Sequence, residues 1–161
     1  ISIAIPPMSK DQLKELKLVG VQRVGIALDG TTPEIFSKIK GDGVSGPYNW
    51  DQHFQTLIET LDIFSEGFVS THLIIGLGET EQEVITRIEE LHNLKILISL
   101  FAFTPIKGTK FEDINKPSLQ TFRKLQLGRF LLVDNRKSQK DFTFNKKGEI
   151  VHWQICCKPN K

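Results

Sequence analysis

The sequence predicts an α/β fold in which a parallel sheet is flanked by helices. Apolar segments typical of buried strands alternate along the 161 residues with amphipathic segments typical of helices. The strand segments are nearly continuous apolar runs, as at Val69–Ile75, which indicates strands buried on both faces. Four such strands are too few to close a barrel, so we expect an open sheet or a partial (β/α) TIM-like barrel, plus a C-terminal helix and β-hairpin.

The first half of the chain contains two predicted strands and three predicted helices. The strands are residues 1–6, which end at two prolines, and residues 21–28. Each helix follows a side chain that can cap its first turn, and these caps are Ser9, Thr32 and Asn49. We expect the apolar face of the first helix to be formed by Leu13, Leu16 and Val19.

A strand, a glycine turn and a helix follow one another in the middle of the chain. Val69–Ile75 is the apolar strand, and it is followed by Gly76 and Gly78. Thr80 then caps a helix, and Glu83 completes a capping box with it. Such a unit is where an α/β protein brings its backbone close to a ligand, because glycine leaves room for the approach.

The rest of the chain supplies the fourth strand and a C-terminal unit. Residues 96–103 form an apolar run that ends at a turn-rich segment. Ser118 caps a last helix, and residues 142–155 are predicted to form a hairpin around a glycine-containing loop. We assign residues 1–117 to the barrel-like part of the fold. Residues 118–161 are then a helix and hairpin packed on the same domain.

Composition and charge exclude several classes of function. The 21 basic and 19 acidic side chains give a net charge of +2 without a dense basic block, so we expect no nucleic-acid partner. No apolar run reaches the roughly 18 residues of a membrane span, so we expect no membrane partner. The adjacent Cys156 and Cys157 cannot form a disulfide framework, which favours a reducing, cytoplasmic setting. The chain begins at Ile1 inside an apolar run, which indicates a piece of a longer protein.

The ends of three predicted strands carry residues that can meet a ligand. In parallel α/β folds, ligands bind at the carboxyl ends of the strands. Here those ends hold Asp29, the turn with Gly76 and Gly78, and residues 104–109. We therefore expect these three positions to converge on one cleft.

The same residues carry a resemblance to a known family. Residues 72–79 are similar to the Gly-x-Ile-x-Gly-x-x-Glu element of radical S-adenosylmethionine enzymes, with His72 at the first glycine. The turn from Gly76 to Thr80 resembles the version found in biotin synthase, and Asp29 is similar to that enzyme's ribose-contacting aspartate. Lys107-Gly108-Thr109 resembles the turn after the sixth strand of that family. The resemblance extends from Ile1 to about Phe111, and the segment beyond it looks like archaeal relatives of biotin and lipoyl synthases.

This resemblance implies the S-adenosylmethionine-binding part of a radical enzyme. In the family, a reduced [4Fe–4S] cluster cleaves S-adenosylmethionine, and the 5′-deoxyadenosyl radical takes hydrogen from an unactivated carbon, into which biotin and lipoyl synthases insert sulfur. The implied partners of the intact enzyme are a small-molecule substrate and an electron donor. The cluster's Cys-x3-Cys-x2-Cys loop is absent from this sequence, and Cys156-Cys157 lacks that spacing. The chain by itself therefore offers cofactor binding and no catalytic residue or metal ligand.

The resemblance also implies a role for individual residues. Ile74 would pack on the adenine ring, the backbone of Phe103 and Thr104 would bond its edge, and Asp29 would accept the ribose hydroxyls. Glu79 would fix the glycine turn. The complete set of implied cofactor-binding residues is Ala27, Asp29, Ile74, Gly76, Gly78, Glu79, Phe103 and Thr104.

Two further residues share a strand face with this set. His72 is two residues before Ile74, and Arg23 has the same parity as Asp29, so both point to the same side of the sheet. We expect His72 and Arg23 to line a substrate chamber. The remaining histidines have no metal-ligand spacing and are expected at the surface; they are His53, His92 and His152.

Simpler interpretations of these residues stay open at this point. Ile74 and Phe103 fit a plain core, Asp29 fits a turn residue before a glycine, and His72 fits a buried strand residue. The absent cysteine loop also suits an inert domain that binds a nucleotide or a protein partner. A third possibility is an ordinary β/α enzyme that uses Asp29 and His72 in acid–base chemistry.

Overall fold

The computed structural model describes residues 1–134 and 137–153, and it has an α/β fold. Four parallel strands form one sheet in chain order, and they are β1 Ser2–Ala4, β2 Arg23–Gly25, β3 Val69–Ile75 and β4 Leu97–Ala102. The α-helices are α1 Lys10–Leu18, α2 Pro33–Ile39, α3 Trp50–Phe64, α4 Glu81–Asn93 and α5 Leu119–Val133. A second, antiparallel sheet consists of β5 Phe142–Phe144 and β6 Ile150–Trp153. The predicted parallel sheet with flanking helices and the C-terminal hairpin are thus confirmed, while residues 154–155 of the hairpin, with Cys156 and Cys157, lie outside the described residues.

The helices begin where the sequence predicts. In every α-helix the N-cap side chain accepts a backbone N–H bond, and these caps are Ser9, Thr32, Asn49, Thr80 and Ser118. Ser9 and Thr80 each form the reciprocal capping box with the residue three positions on. The expected apolar face of α1 is wrong at Val19, which is 73% exposed. Val19 lies after the last helical turn, where Gly20, at φ +92°, redirects the chain.

The parallel sheet is covered on one face and open on the other. Along β3 buried and half-buried side chains alternate strictly: Leu73 and Ile75 are in the core, while His72 and Ile74 point the other way. Helices α3 and α4 pack on the covered face. The expectation of strands buried on both faces is therefore wrong, because among the described residues only one face carries a helical layer. On the open face Ile74 pairs in register with Phe101, which is 54% exposed.

The C-terminal elements pack beside the sheet and on α4. The guanidinium Nε of Arg129 in α5 donates to the carbonyl of Ile98, 2.6 Å away, so this side chain connects α5 to the outer edge of β4. The buried carboxylate of Glu81 in α4 accepts the Ile150 N–H of β6 at 2.5 Å and the Lys124 ammonium of α5 at 2.7 Å. One side chain thereby joins α4, α5 and the hairpin.

The carboxyl ends of β2, β3 and β4 lie side by side. The Asp29 N–H donates to the His72 carbonyl at 3.0 Å, and the Ile74 N–H donates to the Asp29 carbonyl at 2.8 Å. The Phe103 N–H donates to the carbonyl of Ile75 at 2.8 Å. These bonds align the three strand ends on which the sequence places its candidate ligand contacts. None of the helices in residues 1–134 and 137–153 has the length and hydropathy that a membrane span requires.

Candidate functional site

A cavity of about 190 Å³ lies at these strand ends. Three of its wall residues are among the predicted cofactor contacts, namely Asp29, Ile74 and Phe103. The other wall residues are Ile39, Lys40, Leu77 and Phe111. The cavity therefore combines the end of β3 with the end of α2 and with the segments that follow β2, β3 and β4.

Asp29 is the charged centre of this cavity. Its Oδ1 atom lies 2.7 Å from Nε2 of His72, and its Oδ2 atom lies 2.8 Å from Nζ of Lys40. Because a carboxylate only accepts hydrogen bonds, the Nε2 atom of His72 must carry the proton. Lys40 also donates to the carbonyl of Ala27 at 2.8 Å. Each oxygen of the Asp29 carboxylate is thus bonded to a different basic side chain.

Burial and hydrogen bonding act on Asp29 in opposite directions. Burial is the largest single influence and raises the pKa of its carboxyl group. The hydrogen bonds from His72 and Lys40, together with their charges, outweigh burial and leave the pKa below its ordinary value. Asp29 is therefore ionised at neutral pH. Its backbone has φ +61°, a conformation that aspartate tolerates better than most residues.

Lys40 is the charged cavity residue that the sequence analysis missed. It is the C-cap of α2, and its ammonium lies 5.3 Å from the ring centre of Phe36 and 5.1 Å from that of Tyr48. The turn after α2 packs closely on it, since a Cβ atom on Gly46 would come within 2.0 Å of the Lys40 carbonyl oxygen. A basic residue at a helix C-terminus is common, so the type and position of Lys40 did not indicate that it lines the cavity.

The turn after β3 is held by Glu79. Its two carboxylate oxygens accept the N–H groups of Gly76 at 2.5 Å and Leu77 at 3.0 Å. Burial raises the pKa of Glu79, although these backbone hydrogen bonds oppose the increase. Glu79 thus has a clear structural task in the turn, in agreement with the role that the sequence suggests.

The two glycines of this turn face different surroundings. Both have positive φ angles, +105° at Gly76 and +111° at Gly78, which glycine adopts without strain. A Cβ atom on Gly76 would lie 2.6 Å from the Pro117 ring, so protein already fills that space. A Cβ atom on Gly78 would meet no atom within 4 Å. Of the two predicted contacts, Gly78 is the one with open space beside it.

The wall opposite Asp29 is apolar. Ile74 and Phe103 are half-buried, and the ring of Phe111 meets that of Phe103 edge-to-face at 6.5 Å between centres. Thr104, the next predicted contact, is exposed at the end of β4. A flat apolar ligand group can pack on this wall while a hydroxyl group reaches the carboxylate.

The two residues predicted to line a substrate chamber lie far apart. His72 is next to the cavity on the open face, with its ring edge-to-face to Phe101 at 5.3 Å. Arg23 is at the amino end of β2, where its guanidinium lies 5.8 Å from the ring centre of Phe68. Six residues of extended chain, about 20 Å, separate Arg23 from Asp29. Arg23 and the cavity therefore occupy opposite ends of the sheet.

His53 is an exception to the expected surface position of the remaining histidines. It is only 2% exposed, and its ring packs edge-to-face on Phe36 at 4.9 Å and on Tyr48 at 5.2 Å. Its Nδ1 atom lies 3.0 Å from the Asn49 carbonyl, and burial lowers its pKa. His53 thus supports the aromatic side chains around Lys40. Within residues 1–134 and 137–153, no group of three or more His, Cys, Asp or Glu side chains could hold a metal ion.

A larger cavity of about 370 Å³ lies between the starts of α2 and α4. Several of its polar groups are engaged elsewhere: Thr32 and Thr80 cap their helices, and Gln82 N–H donates to the Gly148 carbonyl at 2.9 Å. The hydroxyl of Thr31 is the exception, since it is buried and has no hydrogen-bond partner among the described residues. The guanidinium of Arg87 donates to the Thr31 carbonyl at 2.9 Å and to Glu90. The cavity around Asp29 has the more suitable chemistry, because its charged group still has lone pairs to offer.

Neither a scan against protein-family models nor a search of curated proteins finds a match to this chain. What the cavity binds must therefore be judged from its own geometry and from the sequence motifs that line it. Two features matter most for that judgement. One is the Asp29 carboxylate, which accepts a hydrogen bond on each of its oxygens, and the other is the apolar wall opposite it.

Proposed function

We propose that this cavity binds the adenosyl part of S-adenosylmethionine, and that the chain is the cofactor-binding part of a radical enzyme resembling biotin and lipoyl synthases. One observation supports this more than any other. Asp29, Ile74 and Phe103 line one cavity, although they come from the carboxyl-terminal sides of three different strands. The resemblance had assigned these same residues, separately, to the ribose and to the adenine.

The chemistry of the cavity suits a nucleoside. The Asp29 carboxylate can accept hydrogen bonds from ribose hydroxyls, since each of its oxygens has a second lone pair. Ile74 and Phe103 provide apolar surface for a purine ring. The volume of about 190 Å³ is below the roughly 300–1,000 Å³ of sites that enclose a whole ligand. We therefore place the nucleoside in the cavity and the rest of the cofactor on the open face.

We further propose that the parallel sheet is part of a (β/α) TIM-like barrel. The four strands are parallel and consecutive, and within the part of the chain that the structure describes the helical layer lies on one face. That arrangement fits a barrel wall, in which helices lie outside and side chains of the other face point to the interior. His72 and Phe101 would then face the interior of the barrel.

In the intact enzyme, a [4Fe–4S] cluster kept reduced by an electron donor would supply the electron for cleavage of S-adenosylmethionine. The cysteine ligands of the cluster would come from outside this sequence. The residues of this chain bind and orient the nucleoside and exclude water from it. The substrate is a small molecule, and the setting we propose is the cytoplasm.

The first test is reconstitution of the intact gene product with iron and sulfide under anaerobic conditions. We expect a brown cluster absorbance and, on reduction with S-adenosylmethionine present, formation of 5′-deoxyadenosine. A product that binds S-adenosylmethionine in calorimetry but forms no cluster would be the inert nucleotide-binding domain instead. The absence of both binding and cluster would contradict the proposal. The coding region before Ile1 is a rapid check, since a cysteine triad there would exclude the inert domain.

The contact between Asp29 and His72 favours one second candidate function, acid–base catalysis in an ordinary β/α enzyme. With Nε2–H donated to the carboxylate, Nδ1 is the ring nitrogen that remains available to accept a proton. A carboxylate that orients a histidine in this way is the arrangement used by general bases. Calorimetry that detects no binding of S-adenosylmethionine or adenosine would favour this candidate over the first.

A further inference from the structure

We infer that His72 and Lys40 are positioning residues, which together hold the Asp29 carboxylate so that its free lone pairs face the ligand and select an intact ribose diol. This inference rests on the proposed function, because it concerns the same cavity. It adds two residues and a selectivity that the resemblance does not provide. In the resembling motif the position of His72 is a glycine, which has no side chain to donate a hydrogen bond.

The two donors approach the carboxylate from different elements. His72, on β3, bonds Oδ1 at 2.7 Å, and Lys40, at the end of α2, bonds Oδ2 at 2.8 Å. Rotation of the carboxyl group about its bond to Cβ would break both bonds at once. The orientation of Asp29 is therefore fixed before a ligand arrives, and each oxygen keeps one lone pair for it.

Each donor is itself held in place by further contacts. Lys40 donates to the Ala27 carbonyl at 2.8 Å, and its ammonium lies over the rings of Phe36 and Tyr48. The ring of His72 lies edge-to-face against Phe101 at 5.3 Å. These contacts restrict the rotamers of both side chains, so a ligand does not have to order them on binding.

A carboxylate fixed in this way distinguishes a ribose from a dideoxyribose by hydrogen bonding. A ribose with both hydroxyl groups can donate to the two free lone pairs, whereas a dideoxyribose leaves them desolvated and without a donor. If Asp29 could rotate freely, its oxygens could turn back to water, and the loss of the hydroxyls would matter less. Selectivity for the diol is therefore the property that His72 and Lys40 should control.

The experiment compares the affinity of the intact gene product for adenosine and for 2′,3′-dideoxyadenosine by titration calorimetry. We expect the wild type to bind adenosine at least about tenfold more tightly, because dideoxyadenosine lacks both hydroxyl groups that can donate to Asp29. His72→Leu and Lys40→Met should each reduce that ratio several-fold. His72→Gln should retain most of it, because its amide NH2 can still donate to Oδ1. Lys38→Met, on the exposed side of the same helix, is the control and should leave the ratio unchanged.

The outcomes separate this inference from the proposed function. If the wild type prefers adenosine and His72→Leu and Lys40→Met keep the full ratio, the positioning role is wrong while the nucleoside site stands. If the wild type binds both ligands with equal affinity, Asp29 does not form selective hydrogen bonds with the ribose hydroxyl groups, and the inference is overturned. If the wild type binds neither, the proposed function and the inference fall together. Circular dichroism of each variant shows whether it is folded. If Lys40→Met is not folded, the affinity ratio of His72→Leu alone tests the inference.

Discussion

Nε2 of His72, on β3, lies 2.7 Å from Oδ1 of Asp29, which follows β2 and forms an isolated parallel bridge with Leu73 of β3. The contact follows from strand pairing, because the Asp29 N–H is bonded to the His72 carbonyl and the two side chains point to the same face. Lys40 completes the arrangement from the other side of the carboxylate. Asp29 is thereby the residue on which ligand binding in this cavity should depend most strongly.

We expect Asp29→Asn to weaken the binding of adenosine at least about tenfold, or roughly 1.4 kcal/mol. The asparagine amide has one acceptor oxygen, and its NH2 group would face a donor from either His72 or Lys40. Titration calorimetry on the variant and the wild type measures the difference. Asp11→Asn is the matched control, since that carboxylate is exposed on α1 and should not change the affinity. Equal affinity in the Asp29 variant would exclude the carboxylate as a ligand contact.

The lowered pKa of Asp29 predicts how stability depends on pH. An acid whose pKa is lower in the folded than in the unfolded state stabilises the fold when it is ionised in both. This contribution to stability is complete above about pH 5 and is lost as the pH falls through about 4 towards the folded-state pKa. Each unit by which the pKa differs between the folded and unfolded states is worth about 1.4 kcal/mol. Urea unfolding of the wild type and of Asp29→Asn between pH 3 and 5.5 should show their stability difference shrinking towards pH 3. A difference that stays constant over that range would contradict the ion-pair geometry.

Gly76 and Gly78 provide a matched pair of substitutions in the turn after β3. Alanine at either position adopts a positive φ, which costs roughly 1–2 kcal/mol. At Gly76 the added methyl group also meets the Pro117 ring at 2.6 Å, so Gly76→Ala should be less stable than Gly78→Ala by a further 1–3 kcal/mol or so. Chemical unfolding of both variants measures the two effects. Equal losses would show that Pro117 moves aside readily.

Replacing Glu79 should loosen the same turn. In Glu79→Gln one of the two N–H groups, of Gly76 or Leu77, loses its acceptor and faces an amide NH2 group instead. We expect a loss of about 1–3 kcal/mol in the free energy of unfolding, the penalty of a buried polar group without a partner. Glu66→Gln, at an exposed position, is the control and should remain within about 0.5 kcal/mol of the wild type. A neutral result for Glu79→Gln would show that the turn does not need the carboxylate.

The sequence alone was sufficient to predict those parts of the structure that depend on local contacts. Helix starts were predicted correctly at Ser9 and Thr80, because a capping box is written in residues three positions apart. The convergence of Asp29 and Ile74 on one cavity also followed, because parallel strands bring their carboxyl ends together. The extent of one strand, by contrast, was misjudged. In the second strand the ladder breaks near Leu28, whose N–H donates to the Thr71 hydroxyl rather than to a backbone carbonyl.

Contacts made between distant loops were not predictable in the same way. Lys40 reaches Asp29 only because the turn after α2 packs against it, and no periodicity in the sequence encodes that path. The burial of His53 likewise arises from the rings of Phe36 and Tyr48, which meet it only in the folded chain. Both residues were missed for the same reason. Their roles depend on tertiary packing rather than on residue type or spacing.

The most direct test of the central claim, a nucleoside site at the carboxyl ends of β2, β3 and β4, is a ¹H–¹⁵N NMR titration of the intact gene product with S-adenosylmethionine. The account predicts saturable shift changes concentrated at the amides of the cavity and its rim, namely Asp29, Lys40, Ile74, Leu77, Gly78, Phe103 and Thr104. Amides near Arg23, at the opposite end of the sheet, should be unaffected. Shift changes centred on the cavity between α2 and α4, or no change at millimolar ligand, would contradict it.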